Sequence, residues 1–187
     1  MELLATGRYR ARLAEGEDDV RAAQGLRHLC FRAEAKGPNR ADRRDCDGFD
    51  GICAHVLIED VATHRLVACF RLLDLKNGSE IARSYSAQYY NLAALEAYPA
   101  RMAEVGRFCI DPEVTDPDVL RLAWGALTAY VDANGVEMLF GCSSFKGTEA
   151  QGYSDAFALL RDRHLAPTRW LPKVKAPRVF QFAKRLR

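Results

Sequence analysis

Arg27, Asp47, Asp50, Glu104 and Arg107 are charged residues at positions where a buried face would reject charge. Arg27 falls inside an amphipathic helical pattern. Asp47 and Asp50 close a charged loop just before an apolar strand. Glu104 and Arg107 interrupt the strand-like run around Val105-Gly106-Arg107-Phe108-Cys109-Ile110. Charges in such places must be paired, and paired charges in a cleft are where binding and proton transfer concentrate. Arg27 and Phe31 are four residues apart and share a helix face, from which a guanidinium can grip a carboxylate by two parallel bonds. Asp47 and Asp50 can bind Arg27 and Arg107, or the ammonium of a substrate. Arg71, inside Phe70-Arg71-Leu72-Leu73, adds a further base within a strand; an edge position pointing to water is the competing reading.

Glu104 and Arg107 pose a geometric condition. Residues three apart in a regular strand face opposite sides, because side chains alternate. They share a site only if one extra residue is inserted between them, and a glycine inside a strand often marks such an insertion. The spacing therefore predicts a β-bulge near Gly106, at about Val105-Gly106. It would turn both charges to one cleft and free backbone groups for an extended, amide-bearing ligand. An ordinary ion pair at the sheet rim is the equal alternative.

The elements that must position these residues follow from periodicity and punctuation. Arg8 to Ala14 alternates and reads as a strand. Asp18 or Asp19 caps a helix whose apolar stripe is Val20, Ala23, Leu26, Leu29 and Cys30. Residues 32 to 51 read as a long polar loop, a kind that is often functional in compact domains. Two strands, Ala54 to Glu59 and Leu66 to Leu73, form a hairpin turning near Thr63. Asn91 caps a short helix from Leu92 to Tyr98, and Met102 to Ile110 is the next strand. Asp116-Pro117 opens a helix that stops at Asn134-Gly135. Val136 to Phe140 is an apolar strand, and Thr148 or Glu149 opens a last helix to about Arg163. The order β-α-β-β-(α)-β-α-β-α predicts an α/β domain with a central mixed sheet flanked by helices.

Composition narrows the function classes. With 187 residues the chain suits one domain spanning 1–187. It has no secretory signal and no apolar run long enough to span a bilayer. The six cysteines show no metal-like spacing. Four of them, Cys53, Cys69, Cys109 and Cys142, fall in predicted strands as small hydrophobes, which suits a reduced cytoplasmic protein. The acids of Asp45-Cys46-Asp47-Gly48-Phe49-Asp50 lack the glutamate and spacing of a calcium loop, so no metal is expected. Net charge is only +2, yet nine Lys or Arg residues and one acid lie between Arg161 and Arg187. Such a tail can meet an acidic protein or an anionic membrane surface; a solvated basic face is the plain alternative. Few aromatics are interleaved with the charge, which argues against nucleic acid.

The element order resembles the GNAT acyltransferase fold. Arg27, Phe31, Asp47, Asp50, Arg71, Glu104 and Arg107 resemble, in order and spacing, the charged pattern of acyl-homoserine-lactone synthases. Arg44-Asp45-Cys46-Asp47-Gly48-Phe49-Asp50, Glu104-Val105-Gly106-Arg107-Phe108-Cys109-Ile110 and Leu139-Phe140-Gly141-Cys142-Ser143-Ser144-Phe145-Lys146-Gly147-Thr148 are similar to a nearer family, the L-ornithine Nα-acyltransferases of bacterial ornithine-lipid synthesis. The resemblance covers roughly residues 8 to 170, and chains of that family run on past this length.

The resemblance implies transfer of a 3-hydroxyacyl group from acyl carrier protein to the α-amine of ornithine, with no bound cofactor. Glu104 would then be the general base, directly or through one water. Arg27, Phe31, Asp47, Asp50, Arg71 and Arg107 would shape the acceptor pocket. Phe108, Cys109, Ile110, Ser143 and Ser144 would line the acyl-pantetheine. The junction Asp111-Pro112-Glu113-Val114-Thr115-Asp116-Pro117-Asp118 has no glycine, and its acids would repel the pyrophosphate of coenzyme A. A carrier protein presents a single phosphodiester and an acidic surface, which the basic tail could dock. Val179, Phe182, Ala183 and Leu186 approximate a basic amphipathic helix suited to peripheral membrane contact; a short strand is the alternative. Acylation of glutamine or another amino acid, an S-adenosylmethionine-dependent lactone synthase, and a non-catalytic module for carrier protein or membrane stay open.

Overall fold

A computed structural model of the chain describes residues 1–32, 43–145, 147 and 149–180. The loop residues Gly37, Pro38 and Asn39, the helix start at Thr148, and the tail stripe beyond Phe180 lie outside the described residues. In chain order the elements are β1 (Glu2–Thr6), β2 (Tyr9–Leu13), α1 (Glu17–Arg32), β3 (Ala54–Asp60), β4 (Leu66–Leu75), β5 (Tyr90–Asn91), β6 (Met102–Ile110), α2 (Pro117–Asn134), β7 (Met138–Gly141), α3 (Ser154–Arg163) and β8 (Lys173–Val174), with short 3₁₀ turns between them. The chain divides into two compact units, Met1–Leu75 with Ala100–Phe140, and Lys76–Pro99 with Gly141–Arg187.

The first unit is built on a mixed sheet of order β1-β2-β3-β4-β6-β7. Neighbours from β1 to β6 are antiparallel. Alternation divides the sheet into two faces. One carries Val56, Ile58, Phe70 and Leu72 against Val119, Leu122, Ala123 and Ala126 of α2, with Tyr9 and Ala11 closing the cluster. The other carries Leu57, Cys69 and Cys109 against Ala23 and Leu26 of α1. Cys69 and Cys109 are direct cross-strand partners, their sulfurs 3.6 Å apart. Cys53 stands just before β3, and Cys142 lies just past β7 and is exposed, so neither is a strand residue as the sequence predicts.

The caps of α2 match the sequence reading. Asp116 accepts from the Asp118 amide at 3.0 Å, Pro117 follows, and Gly135 ends the helix in the left-handed region at φ +62°. β1 escapes the alternation analysis. It pairs with β2 through the two-residue loop Gly7-Arg8, where Gly7 has φ +51° at the first loop position, a place that favours glycine. Charge knits this edge: Glu59 accepts from Arg10 at 2.9 Å and from Arg12 at 3.0 and 2.6 Å, while Arg12 also reaches Asp19.

In the second unit the expected helix over Leu92 to Tyr98 shrinks to a 3₁₀ turn at Ala93–Leu95. The cap position is Leu92, not Asn91; the Asn91 side chain accepts from the Ala93 amide at 3.0 Å, and Pro99 leaves too little chain for an α-helical nucleus. The last helix starts later than its sequence signal. Ala150–Tyr153 is 3₁₀, and α3 begins at Ser154, after Gly152, a residue that weakens a helix interior. β5 and β8 form a two-stranded antiparallel ribbon.

Candidate active site

The bulge is present near Gly106, two residues beyond the expected Val105-Gly106. Cys69 pairs with Cys109 and Arg71 with Gly106, so two steps on β4 match three on β6, and the extra residue falls at Arg107-Phe108. Arg107, not Gly106, takes the strained backbone, at φ +53°. At Gly106 a Cβ would sit 3.7 Å from Nε of Arg71, an ordinary contact, so the neighbouring strand leaves room for a side chain there. The register sets Leu73 opposite Glu104 and Arg71 opposite Gly106, which places Glu104 and Arg71 on the face toward α1. The inserted residue brings Arg107 to that same face. Phe108 turns to the other side, stacking on Phe70 at 5.3 Å and on Trp124 at 6.1 Å. Ile110 packs with it in the α2-side core, and Cys109 in the α1-side core.

Three arginines and three aspartates interlock over this face. Arg71 grips Asp47 with both nitrogens, at 2.6 and 2.8 Å, and reaches Asp50 at 2.8 Å. Arg27 Nη2 donates to both oxygens of Asp50, at 2.8 and 2.9 Å, and to the carbonyl oxygen of Asp45. Arg107 donates through Nε to Asp45 Oδ2 at 2.8 Å and through Nη2 to Asp47 Oδ2 at 3.2 Å. Gln24 donates to Asp50 Oδ2 at 3.0 Å, the Asp47 amide to the same oxygen at 3.3 Å, and the Phe49 amide to Asp47 Oδ1 at 3.0 Å. The Phe49 ring lies under the Arg71 guanidinium at 5.4 Å.

Burial makes this set costly to break. The Arg27 side chain is 1% exposed and that of Arg71 4%. Burial alone would raise the carboxyls of Asp47 and Asp50, but Arg71 beside the first and Arg27 beside the second outweigh it, and both are held below the ordinary range. Glu104 is buried on the same face. Cys53 lies near it and beside Arg71, and burial pushes the Cys53 thiol up to about 11, so it stays a thiol at neutral pH.

Sequence reasoning named Arg27, Asp47, Asp50, Arg71, Glu104 and Arg107, and the structure gathers all six on one face. It missed Asp45 and Gln24. Asp45 is two residues before Asp47 in an extended segment, a spacing that puts both on one side. Gln24 is three before Arg27 on the helix. Phe31 is 44% exposed, although it shares a helix with the buried Arg27. Ser143 and Ser144 are exposed residues of the second unit. The acidic junction is tied off by its own neighbours: Arg65 donates to Asp111 and Glu113 at 2.7 Å each, and Tyr9 donates to Asp116 at 3.1 Å.

Residues 26–125 match the family model described as an acetyltransferase (GNAT) domain. The L-ornithine N(alpha)-acyltransferase of Rhodobacter capsulatus is 34% identical over 176 residues, covering 89% of this chain and 68% of that protein. The Agrobacterium fabrum protein of the same name is 30% identical over 175 residues, covering 88% of this chain and 60% of its own length. The chain thus spans about two thirds of the length of these relatives. In fold it is similar to the AHL synthase LasI, with a TM-score of 0.51, 19% identity and 72% of each chain covered. The chain therefore belongs to the L-ornithine N(alpha)-acyltransferase family within the GNAT fold.

Proposed function

We propose that this chain transfers a 3-hydroxyacyl group from acyl carrier protein to the α-amine of ornithine, giving lyso-ornithine lipid and the free carrier thiol. The observation that carries the reading is the bulge at Arg107-Phe108, which leaves Glu104, Arg71 and Arg107 on one face of β4 and β6. In this reaction the thioester C–S bond breaks, an amide C–N bond forms, and the attacking amine loses a proton. Glu104 takes that proton, directly or through one water. Backbone N–H groups released from the ladder by the bulge polarise the thioester carbonyl. No covalent enzyme intermediate is needed.

The aspartates have a different task from ammonium capture. Each oxygen of Asp47 and Asp50 already accepts from an arginine, so these residues act as positioning residues that hold Arg27, Arg71 and Arg107 in place. Arg107, the most exposed of the three arginines at 21%, presents a guanidinium edge toward the acceptor's carboxylate while Asp45 and Asp47 hold its other nitrogens. Phe108, Cys109 and Ile110 serve the pantetheine through their backbone, since their side chains belong to the two cores. The acids Asp111, Glu113 and Asp116 leave the α2 N-terminus unfavourable to a pyrophosphate, which favours a carrier-bound donor. The basic residues from Arg161 onward supply its docking surface, and contact with the inner face of the membrane would place the lipid product.

The test mixes the protein with 3-hydroxyacyl-carrier protein and, separately, ornithine, glutamine, lysine or S-adenosylmethionine, and identifies lipids by mass spectrometry. An ornithine amide is expected. Product with glutamine alone would move the acceptor, and no product with any amine would overturn the reading.

A further inference from the structure

The chain has 25 acids in 187 residues, yet none between Ile81 and Leu95 and none between Arg163 and Arg187. β5 comes from the first of these stretches and β8 from the second, and both belong to the second unit. They pair as an antiparallel ribbon, with Tyr90 opposite Val174 and Asn91 opposite Lys173. All four residues are exposed, so both faces of the ribbon meet solvent. Tyr90 is 46% exposed and Val174 55%, and Tyr89 just before them is 47% exposed. The stretch that supplies β8 carries eight Lys or Arg residues. A solvated basic face has no need of apolar side chains; apolar surface among cations, with no acid beside it, marks a contact surface for an anionic partner.

Other groups hold the ribbon to its own unit. Lys175 donates through Nζ to the carbonyl oxygen of Ala87 at 2.6 Å, and Trp170 packs edge-on against Tyr98 at 5.3 Å. Outward there remain Tyr90 and Val174, side by side on one face, and Lys173 on the other. These residue types choose the partner. Tyrosine joins an apolar ring to a polar tip and settles at headgroup level in a bilayer. Lysine reaches lipid phosphate on a long apolar stem, whereas protein–protein interfaces are depleted in lysine and enriched in arginine. An acidic protein surface is better served by arginines, such as Arg161 and Arg163 in the last turn of α3.

We propose that the β5–β8 ribbon docks the second unit on a bilayer surface that carries anionic lipid. Tyr90 and Val174 enter the headgroup layer, and Lys173 meets the lipid phosphates. The assignment rests on the lipid-forming reading for its purpose and adds the surface by which the membrane is met.

The test is cosedimentation of the wild-type chain with vesicles of phosphatidylcholine alone and with vesicles that also contain phosphatidylglycerol. Binding to the anionic vesicles should be stronger by at least about fivefold, the contribution of one basic residue near such a surface, and should weaken as salt is raised. Tyr90→Ser combined with Val174→Ser keeps every charge and removes the apolar contact. Its partition to anionic vesicles should fall about tenfold, while its binding of 3-hydroxyacyl-carrier protein persists. Lys173→Glu should lower vesicle binding by more than about fivefold. Circular dichroism checks that the variants fold, and a variant that does not fold hands the decision to the wild-type comparison of the two vesicles. Wild-type binding that is absent, or equal on both vesicles, would overturn the proposal, as would folded variants that bind vesicles as the wild type does. Loss of carrier-protein binding with vesicle binding intact would also overturn it and make the ribbon a protein-docking surface. Amide formation from soluble carrier protein and ornithine is assayed without vesicles, so the two readings fail separately. Product without vesicle binding sinks only the membrane surface; vesicle binding without product sinks only the reaction.

Discussion

Arg107 Nε lies 2.8 Å from Asp45 Oδ2, and it gets there from a backbone φ of +53°. A non-glycine residue in that region carries a cost of about 1–2 kcal/mol, so the ion pair is held against local strain. Substitution can separate the two effects. Arg107→Ala loses the Asp45 and Asp47 contacts and keeps the strain; Arg107→Gly loses the same contacts and relieves it. Urea denaturation should find Arg107→Gly the more stable of the two by about 1 kcal/mol. Gly106→Ala should change stability by less than about 1 kcal/mol, because its new Cβ meets Arg71 at ordinary van der Waals distance. An alanine at 107 as stable as a glycine would disprove strain at the bulge.

Arg27 is the arginine with most to lose. Its Nη2 alone serves both oxygens of Asp50 and the Asp45 carbonyl, and its side chain is 1% exposed. Removing one member of a buried ion pair leaves the other charge stranded, at about 3–5 kcal/mol. Arg27→Met should fall at the low end, because Asp50 keeps Arg71. Arg27→Lys should recover little, since a point ammonium cannot reproduce a planar fork aimed at two acceptors. Thermal and urea unfolding measure both; a Lys variant within about 0.5 kcal/mol of wild type would show that charge alone suffices.

The elements around the site were legible where their signals are local. Asp116-Pro117 and Asn134-Gly135 bracket α2 because caps act within one turn. Met102 to Ile110 was visible as a strand despite its two charges. The bulge was legible as a necessity but not to the residue, because the left-handed backbone falls on Arg107 rather than on the glycine that announced it, and pairing with the neighbouring strand, which spacing along one strand does not reveal, sets where the extra residue goes. Asp45 was overlooked for a related reason: its pairs with Arg27 and Arg107 exist only once α1 and β6 face the same loop. The short helices of the second unit failed where a weak local pattern met Pro99 and Gly152.

Acid should undo the network in a definite direction. Asp47 and Asp50 titrate lower in the folded protein than in the unfolded chain, because Arg71 and Arg27 outweigh the effect of burial. Carboxyls lowered in this way contribute stability that is complete above their unfolded pKa of about 4 and is lost as pH falls through the folded values. Unfolding free energy measured by urea between pH 6 and pH 3 should therefore drop as the pH passes below about 4. Asp50→Asn, already destabilised at neutral pH, should show a shallower fall. An equal slope in the variant would mean that other carboxylates, such as Glu59 with Arg10 and Arg12, govern acid unfolding.

Glu104 is where stability and chemistry must be told apart, because it is buried on the same face as the clamps. Glu104→Gln keeps the shape of the side chain and removes its ability to take a proton. As the general base, it should lower amide formation by about 10² to 10⁴-fold. Binding of carrier protein and ornithine should change far less. Raising the pH should return part of the lost rate, since more of the amine then arrives already free of its proton. A residue that only supports the fold would behave otherwise: melting temperature and both Michaelis constants would shift together, and no alkaline rescue would appear. The decisive comparison is therefore the pH–rate profile of Glu104→Gln against that of a folded variant of comparable stability loss in the α2-side core, such as Leu122→Ala. Parallel profiles for the two would reduce Glu104 to a member of the ion network, and a rescue confined to Glu104→Gln would identify it as the proton acceptor.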